Sequence, residues 1–225
     1  MQQKRIETFL AIPGQPHLIR VYQSDFSWDR NVGRFRNNRT GRFVAEQTIR
    51  NQVDTIIAKE ERRLRGLTVK FAIEEVSFSD WQLEIMQSIK SSHIASYVAG
   101  KGGYTHMTQS DWGIVGSIIK EDYKIIRSIS EQIDTGGIDP KTGRLQDSIR
   151  RLSRKSRSSY YKGRQSWAKT NGFLFEESVL GVADHCMECV DMANKGRVPI
   201  GTLIPVGERI CRSNCRCKIL FFKTL

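Results

Sequence analysis

Residues 185–217 read HCMECVDMANKGRVPIGTLIPVGERICRSNCRC and hold all five cysteines of the 225-residue chain. Cys186 and Cys189 form a C-x2-C turn, and Cys211 and Cys215 form a second, wider pair about 20 residues on. Two paired-thiol turns at that separation have the spacing of a structural zinc site, because each turn offers two sulfurs to one tetrahedral ion. Four thiolates leave no open coordination position, so such an ion would hold the fold and do no chemistry. The candidate ligands are Cys186, Cys189, Cys211 and Cys215. Alternation along a C-terminal strand starting near Arg216 puts Cys217, Ile219 and Phe221 on one face, which makes Cys217 a core residue behind the ion. His185 is either a substitute for one thiolate or a packing group. Disulfides and plain packing of free thiols compete with zinc as reasons for the cluster.

The cluster sits in a region where the sequence period changes. After Gly172 the stretches GFLFEESVLGV and CKILFF are short, apolar and separated by Gly, Pro and Asn, which predicts a small β-rich domain over 173–225 with the cysteines joining its ends. Before it the period is helical. Ile49, Val53, Ile56, Ile57 and Leu64 form one stripe, and Trp81, Ile85, Met86 and Ile89 a second with Ser79 as its N-cap. AGKGGYTHM then reads as a glycine-rich loop. A third helix opens on a Thr108–Asp111 capping box and aligns Trp112, Val115, Ile119, Ile126 and Ile129. A fourth runs unbroken through Leu145, Ile149, Leu152, Ser156, Tyr160, Gly163 and Trp167, its two small residues marking where a neighbour approaches closely. Residues 1–43, broken by Pro13, Gly14 and Pro16, read as an extended basic arm. The fold class is α+β: an arm over 1–43, a mainly helical body over 44–172 and a small, cysteine-pinned β-rich C-terminal domain. A chain of this length buries a core without disulfides, so the clustering of its cysteines has a local cause.

Thirty-six Lys and Arg against 24 Asp and Glu give a formal charge of +12, a field that attracts phosphate backbones or acidic protein surfaces. Two places concentrate it. Gly33-Arg34-Phe35 recurs as Gly41-Arg42-Phe43 with Arg36 and Arg39 between; basic residues interleaved with aromatics suit a nucleic-acid strand or an acidic groove, or form a solvated turn with two anchoring phenylalanines. The outer face of the fourth helix carries Arg150, Arg151, Arg154, Lys155, Arg157, Lys162 and Arg164 with no acid from Ser148 to Lys169, and is expected to bind a partner and not to serve the fold. No P-loop, G-x-G-x-x-G or H-E-x-x-H is present, and the four histidines lie in no nucleophile signature, so no enzyme is expected. No apolar run reaches the roughly 18 residues of a membrane span, and the reading is of a soluble protein made in a reducing cytoplasm.

The series Gly181-Val182-Ala183-Asp184-His185-Cys186 with Cys189, then Gly196, Pro199-Ile200-Gly201-Thr202-Leu203, Cys211 and Asn214-Cys215-Arg216-Cys217 resembles the C-terminal region of phage head morphogenesis proteins, the minor head proteins of Mu-like tailed phages. The resemblance is sharp over 181–217, and its terminal N-C-R-C is the most specific element. It implies a structural virion protein present in several copies at the portal vertex. Its partners would be the portal or capsid proteins and packaged DNA, and it would act in head assembly and in DNA packaging or ejection after folding in the host cytoplasm. The charge and the paired cysteines also fit a zinc-containing nucleic-acid-binding protein, a regulator or recombination factor. A toxin-like transferase is a third reading, without a matching Arg, Ser-x-Ser and Glu-x-Glu series to support it.

Overall fold

A computed structural model of the chain describes residues 26–29, 31–212 and 215–225. The proline-containing part of the arm, with Pro13 and Pro16, lies outside the described residues, as does Asn214. What is described of the arm is a folded sheet. Strands β1 (Phe26–Asp29), β2 (Arg34–Asn37) and β3 (Phe43–Val44) form an antiparallel meander with Trp28 opposite Phe35 and Phe35 opposite Val44. The repeated Gly-Arg-Phe has a structural origin: Gly33 and Gly41 both take φ 68°, a left-handed turn residue, and each starts the strand that follows. Phe35 is buried, and Trp28 packs edge-on against both Phe35 and Trp167.

Four long helical segments follow and give the α+β fold its helical majority. α1 (Glu46–Ala72) buries Ile49, Val53, Ile57 and Leu64 on the expected stripe. α2 (Phe78–Lys101) is capped by Ser77 and not Ser79, since the Ser77 hydroxyl accepts from the Asp80 amide. It runs through Lys101, so Ala99 and Gly100, expected in a loop, are helical; the chain turns only at Gly102, whose φ of 94° ends the helix. α3 (Gln109–Asp134) opens on the expected Thr108–Asp111 capping box. The expected fourth helix is two, α4 (Gly143–Arg154) and α5 (Ser156–Thr170), interrupted at Lys155. Serines account for the break. The Ser153, Ser156 and Ser158 hydroxyls bond the carbonyls of Arg150, Ser153 and Lys155, and the Lys155 and Ser158 amides reach back only three residues, tightening the turn. The apolar stripe keeps its phase across the break, and Leu145, Ile149, Leu152, Tyr160 and Trp167 are all buried.

The close approach expected at Gly163 is made with Gly100. A Cβ on Gly163 would stand 2.3 Å from the Tyr97 carbonyl oxygen, and one on Gly100 would stand 2.1 Å from that of Tyr160. The two helices therefore touch backbone to backbone, which only glycine at both positions permits. Beside this contact the buried Lys101 ammonium lies 3.1 Å from Asp111 and donates to Ser166 and Thr170. The C-terminal segment is a β5–β4–β6 antiparallel sheet of β4 (Phe175–Val179), β5 (Arg197–Pro199) and β6 (Lys218–Phe222), with the short helix α6 (Met187–Asn194) between β4 and β5. Glu176 of β4, fully buried, accepts the amides of Gly201 and Leu203 and so fixes the loop before the second cysteine pair. The three sequence segments share one core: Phe35, Ile49, Val53, Tyr160 and Tyr161 pack in the same buried cluster as Cys189, Met192, Leu203, Val206 and Ile219. Among the described residues no helix is long and apolar enough to cross a membrane.

Gly163→Ala places a methyl group against a backbone carbonyl that no rotamer change can move, and lowers the unfolding free energy by about 2–3 kcal/mol in a denaturant melt; an unchanged melt would mean the helices stand further apart. Burial works against the Asp111 carboxylate, but donation from Ser166, Thr108 and Tyr97 outweighs it and holds the group well below the usual carboxylate range. Its stabilisation is thus present above the ordinary carboxylate value near 4 and is lost as pH falls through the depressed one. Asp111→Asn lowers the melting temperature at pH 7, and the gap to the parent protein narrows as the pH is taken below about 4.

Candidate metal centre

The cysteines converge because three structural devices bring two turns together. Cys186 is the N-cap of α6, and the amides of Cys189 and Val190 return to its carbonyl. Glu188, in the first turn of α6, accepts the Ile210 amide at 2.6 Å and ties this turn to the one that bears Cys211. Arg209 lies beneath both. Within this frame the Cys189 sulfur is 3.4 Å from that of Cys211 and 3.5 Å from that of Cys215. Those separations are too long for a disulfide, and all five cysteines are free. They approach the roughly 3.8 Å edge of a tetrahedron of sulfurs around zinc.

The sulfurs form two overlapping trios, Cys186–Cys189–Cys211 and Cys189–Cys215–Cys217, each close enough to hold a metal ion. All four expected ligands are brought together, with Cys189 common to both groups. Cys217 departs from the reading that set it aside: it is buried as expected, but its sulfur also stands within ligand reach. His185 is oriented towards it. A carbonyl only accepts, so the Nε2 proton goes to Gly181 O at 2.8 Å, and the Nδ1 lone pair faces the Cys217 sulfur at 3.6 Å.

The electrostatics favour a cation. Burial pushes the Cys189, Cys211 and Cys217 thiols up, so bare thiolates are costly there. At Cys186 burial acts the same way but is outweighed by the amides of Cys189 and Cys211 donating to its sulfur, and its thiol is lowered. A divalent ion bound there would have to replace those protons, as metal binding to thiols requires. Arg209, which the sequence reading passed over, decides the charge balance. Its side chain is fully buried and donates to Ile204 O, Ser178 Oγ and, at 3.8 Å, the Cys189 sulfur, with no carboxylate partner among the described residues. Its Nη2 has no hydrogen-bond partner. No spacing rule marks an arginine two residues before a cysteine, so this group is found only by contact.

The expected cationic partner surface is largely built into the protein. Arg154 pairs with Glu61 of α1 at 2.6 Å and Arg157 with Asp54 at 2.7 Å, and Arg157 also donates to Cys215 O. Lys155 pairs with the buried Asp122, Lys162 with Glu208, and the buried Arg164 with Glu46. These five cations face acids of other elements and so serve the fold as well. Arg150 pairs only with Asp147 on its own helix, at the surface, and Arg151 is exposed. On the hairpin, Arg36 is held by Asp29 at 2.9 Å and, with Arg34, lies over the Phe43 ring. Arg34, Arg39 and Arg42 are exposed. Compared with protein-family models, curated proteins and solved structures, the chain gives no match.

Arg154→Gln and Arg157→Gln each strand a carboxylate of α1 that is no more than about a third exposed and lower stability by about 1–2 kcal/mol in denaturant melts. Arg150→Gln, at the surface, changes it by less than about 0.5 kcal/mol. Equal, negligible effects at all three positions would restore the reading of a free binding face.

Proposed function

We propose that this chain is a structural, non-catalytic protein of a tailed-phage virion that acts at the portal vertex in head assembly and DNA packaging or ejection, with its C-terminal module held by a structural zinc ion. The observation that carries the reading is where the family-like series falls in space. The Gly181 carbonyl accepts from His185, and Gly181 lies against the Arg216 backbone; Leu203 is seated by Glu176 and packs in the shared core; Cys186, Cys189 and Cys211 form one trio and Cys189, Cys215 and Cys217 a second that shares Cys189. The resemblance is thus concentrated in residues that build a single module, which suits docking to an assembly. Purified particles should contain the protein by mass spectrometry, and density for it should adjoin the portal in images of the neck. Its absence from particles and from assembly intermediates would end the virion reading.

Zinc is favoured over disulfides by Arg209. A guanidinium is a permanent cation, and burying one without an anion costs several kcal/mol. Disulfides or neutral thiols would leave Arg209 in that condition, whereas a zinc ion with four thiolates, or with three and His185, carries a net negative charge beside it. Protein purified under reducing conditions is expected to hold about one zinc per chain. EDTA should raise hydrogen exchange over 181–217 while α2 and α5 stay protected, and Arg209→Met should weaken zinc retention against the chelator by about 10- to 100-fold. No zinc, together with fewer than four thiols titratable in denaturant without reductant, would assign the cysteines to disulfides.

A further inference from the structure

A cleft of about 560 Å³ opens between α3, α4 and the loop that follows Val206. Its floor is aliphatic, made by Ile125, Ile129 and Leu152, and Arg151 of α4 and Arg212 of the loop also line it. The other charges lining it are already engaged. Lys155 is paired with Asp122, and Glu208 is held by Lys162 at 2.6 Å. Arg151 and Arg212 have no carboxylate partner among the described residues.

Arg212 also carries strain. Its φ of 46° is left-handed, a conformation unfavourable for a residue with a side chain that persists only where neighbours enforce it. Here the neighbours are the cysteine loop itself: the Arg212 amide donates to Arg209 O at 2.7 Å, and the Arg212 carbonyl accepts from Cys215. The loop that bears Cys211 thus also fixes the backbone of an arginine that lines the cleft.

We propose that this cleft receives an acidic segment of a partner protein, with an aliphatic side chain on the Ile125–Ile129–Leu152 floor and flanking carboxylates on Arg151 and Arg212. Arginine forks match carboxylates in a bidentate fashion, and an aliphatic floor rewards an apolar anchor between them. The volume lies within the range of pockets that enclose a few side chains or a small ligand. No aromatic ring lines the cleft, so it lacks the stacking platform on which single-stranded nucleic acid is read. The inference names the partner chemistry for the docking role proposed above, but it stands on the cleft and needs no virion to test.

The test is fluorescence polarisation with the full chain and a labelled DEELLEDE peptide. Saturable binding is expected, weakening as salt is raised. Arg151→Glu and Arg212→Glu should each reduce affinity at least tenfold, and DEEGGEDE should bind at least tenfold more weakly than the leucine peptide. Arg39→Glu with Arg42→Glu, which changes net charge on the hairpin alone, should bind like the parent. Arg151 is exposed on a helix, so that variant stays folded even where Arg212→Glu disturbs the loop; thermal melts check both. Absence of saturable binding overturns the proposal, as does binding indifferent to Arg151→Glu. So does a 12-nucleotide single-stranded DNA that displaces the peptide and itself depends on Arg151. Peptide binding in a protein absent from particles would retain the cleft and discard the virion reading; a particle protein that ignores the peptide would do the reverse.

Discussion

The rest of the structure depends on the contact between Gly100 and Gly163. Where two helices touch through their carbonyls, there is no space for side chains between them, and the groups on either side are brought into hydrogen-bond range. This explains why the last three turns of α2, rich in serine and alanine, are buried on nearly every side although their sequence is not strongly apolar. The hydrogen-bonding groups it encloses are answered from neighbouring helices. His93 reaches Ser159 of α5 through Nδ1 at 2.7 Å and Asp122 of α3 through Nε2 at 2.8 Å, and Tyr97 donates to Asp111. A serine, histidine and aspartate in line have the composition of a hydrolytic triad. All three are buried, and the line ties α2 to α3 and α5 and sets helix register.

With α5 fixed against α2, its outer face organises everything that is not helical. Trp167 supports the N-terminal hairpin through Trp28, and Arg164 stacks over Trp167 while pairing with Glu46. One and two turns earlier, Tyr161 and Arg157 donate to the carbonyls of Cys217 and Cys215. The helical body therefore grips the cysteine module by its backbone and leaves the sulfurs directed inward at one another.

What was legible in the sequence follows from what depends on nearby residues alone. The stripes of α1 and α3, the capping box at Thr108 and the small position at Gly163 are set by spacing within one element, and spacing was enough. The second half of each long-range pairing was not. Gly100 lies in a run of glycines that reads as a loop, and only the backbone of α5 makes it a contact residue. The arginines of α4 and α5 read as a binding face because their acids lie 93 residues away for Arg154 and 103 for Arg157, on a helix whose own acids look like solvent-facing charge. The cysteine pairs were legible because each pair lies within one turn; Arg209, Glu188 and the position of Cys217 were not, since each acquires its role by contact with residues of another turn.

The division of labour between body and module has a physical reason. A segment of about 50 residues with strands of five residues or fewer buries too little apolar surface to fix its own loops. This one borrows aliphatic contacts from α1 and α5 through the shared cluster, but its loop from Gly207 to Arg212 has no regular hydrogen-bond ladder to hold it. Contacts that converge on the cysteine turns, from Glu188 to the Ile210 amide and from Arg157 and Tyr161 to the Cys215 and Cys217 carbonyls, take the place of that ladder. They act where the chain adopts its strained conformation at Arg212 and where Gly207, at φ 101°, passes close over Ser158 at the start of α5. The loop is thereby clamped between the helix break and the centre, and the wall of the cleft is as rigid as the sulfur cluster behind it.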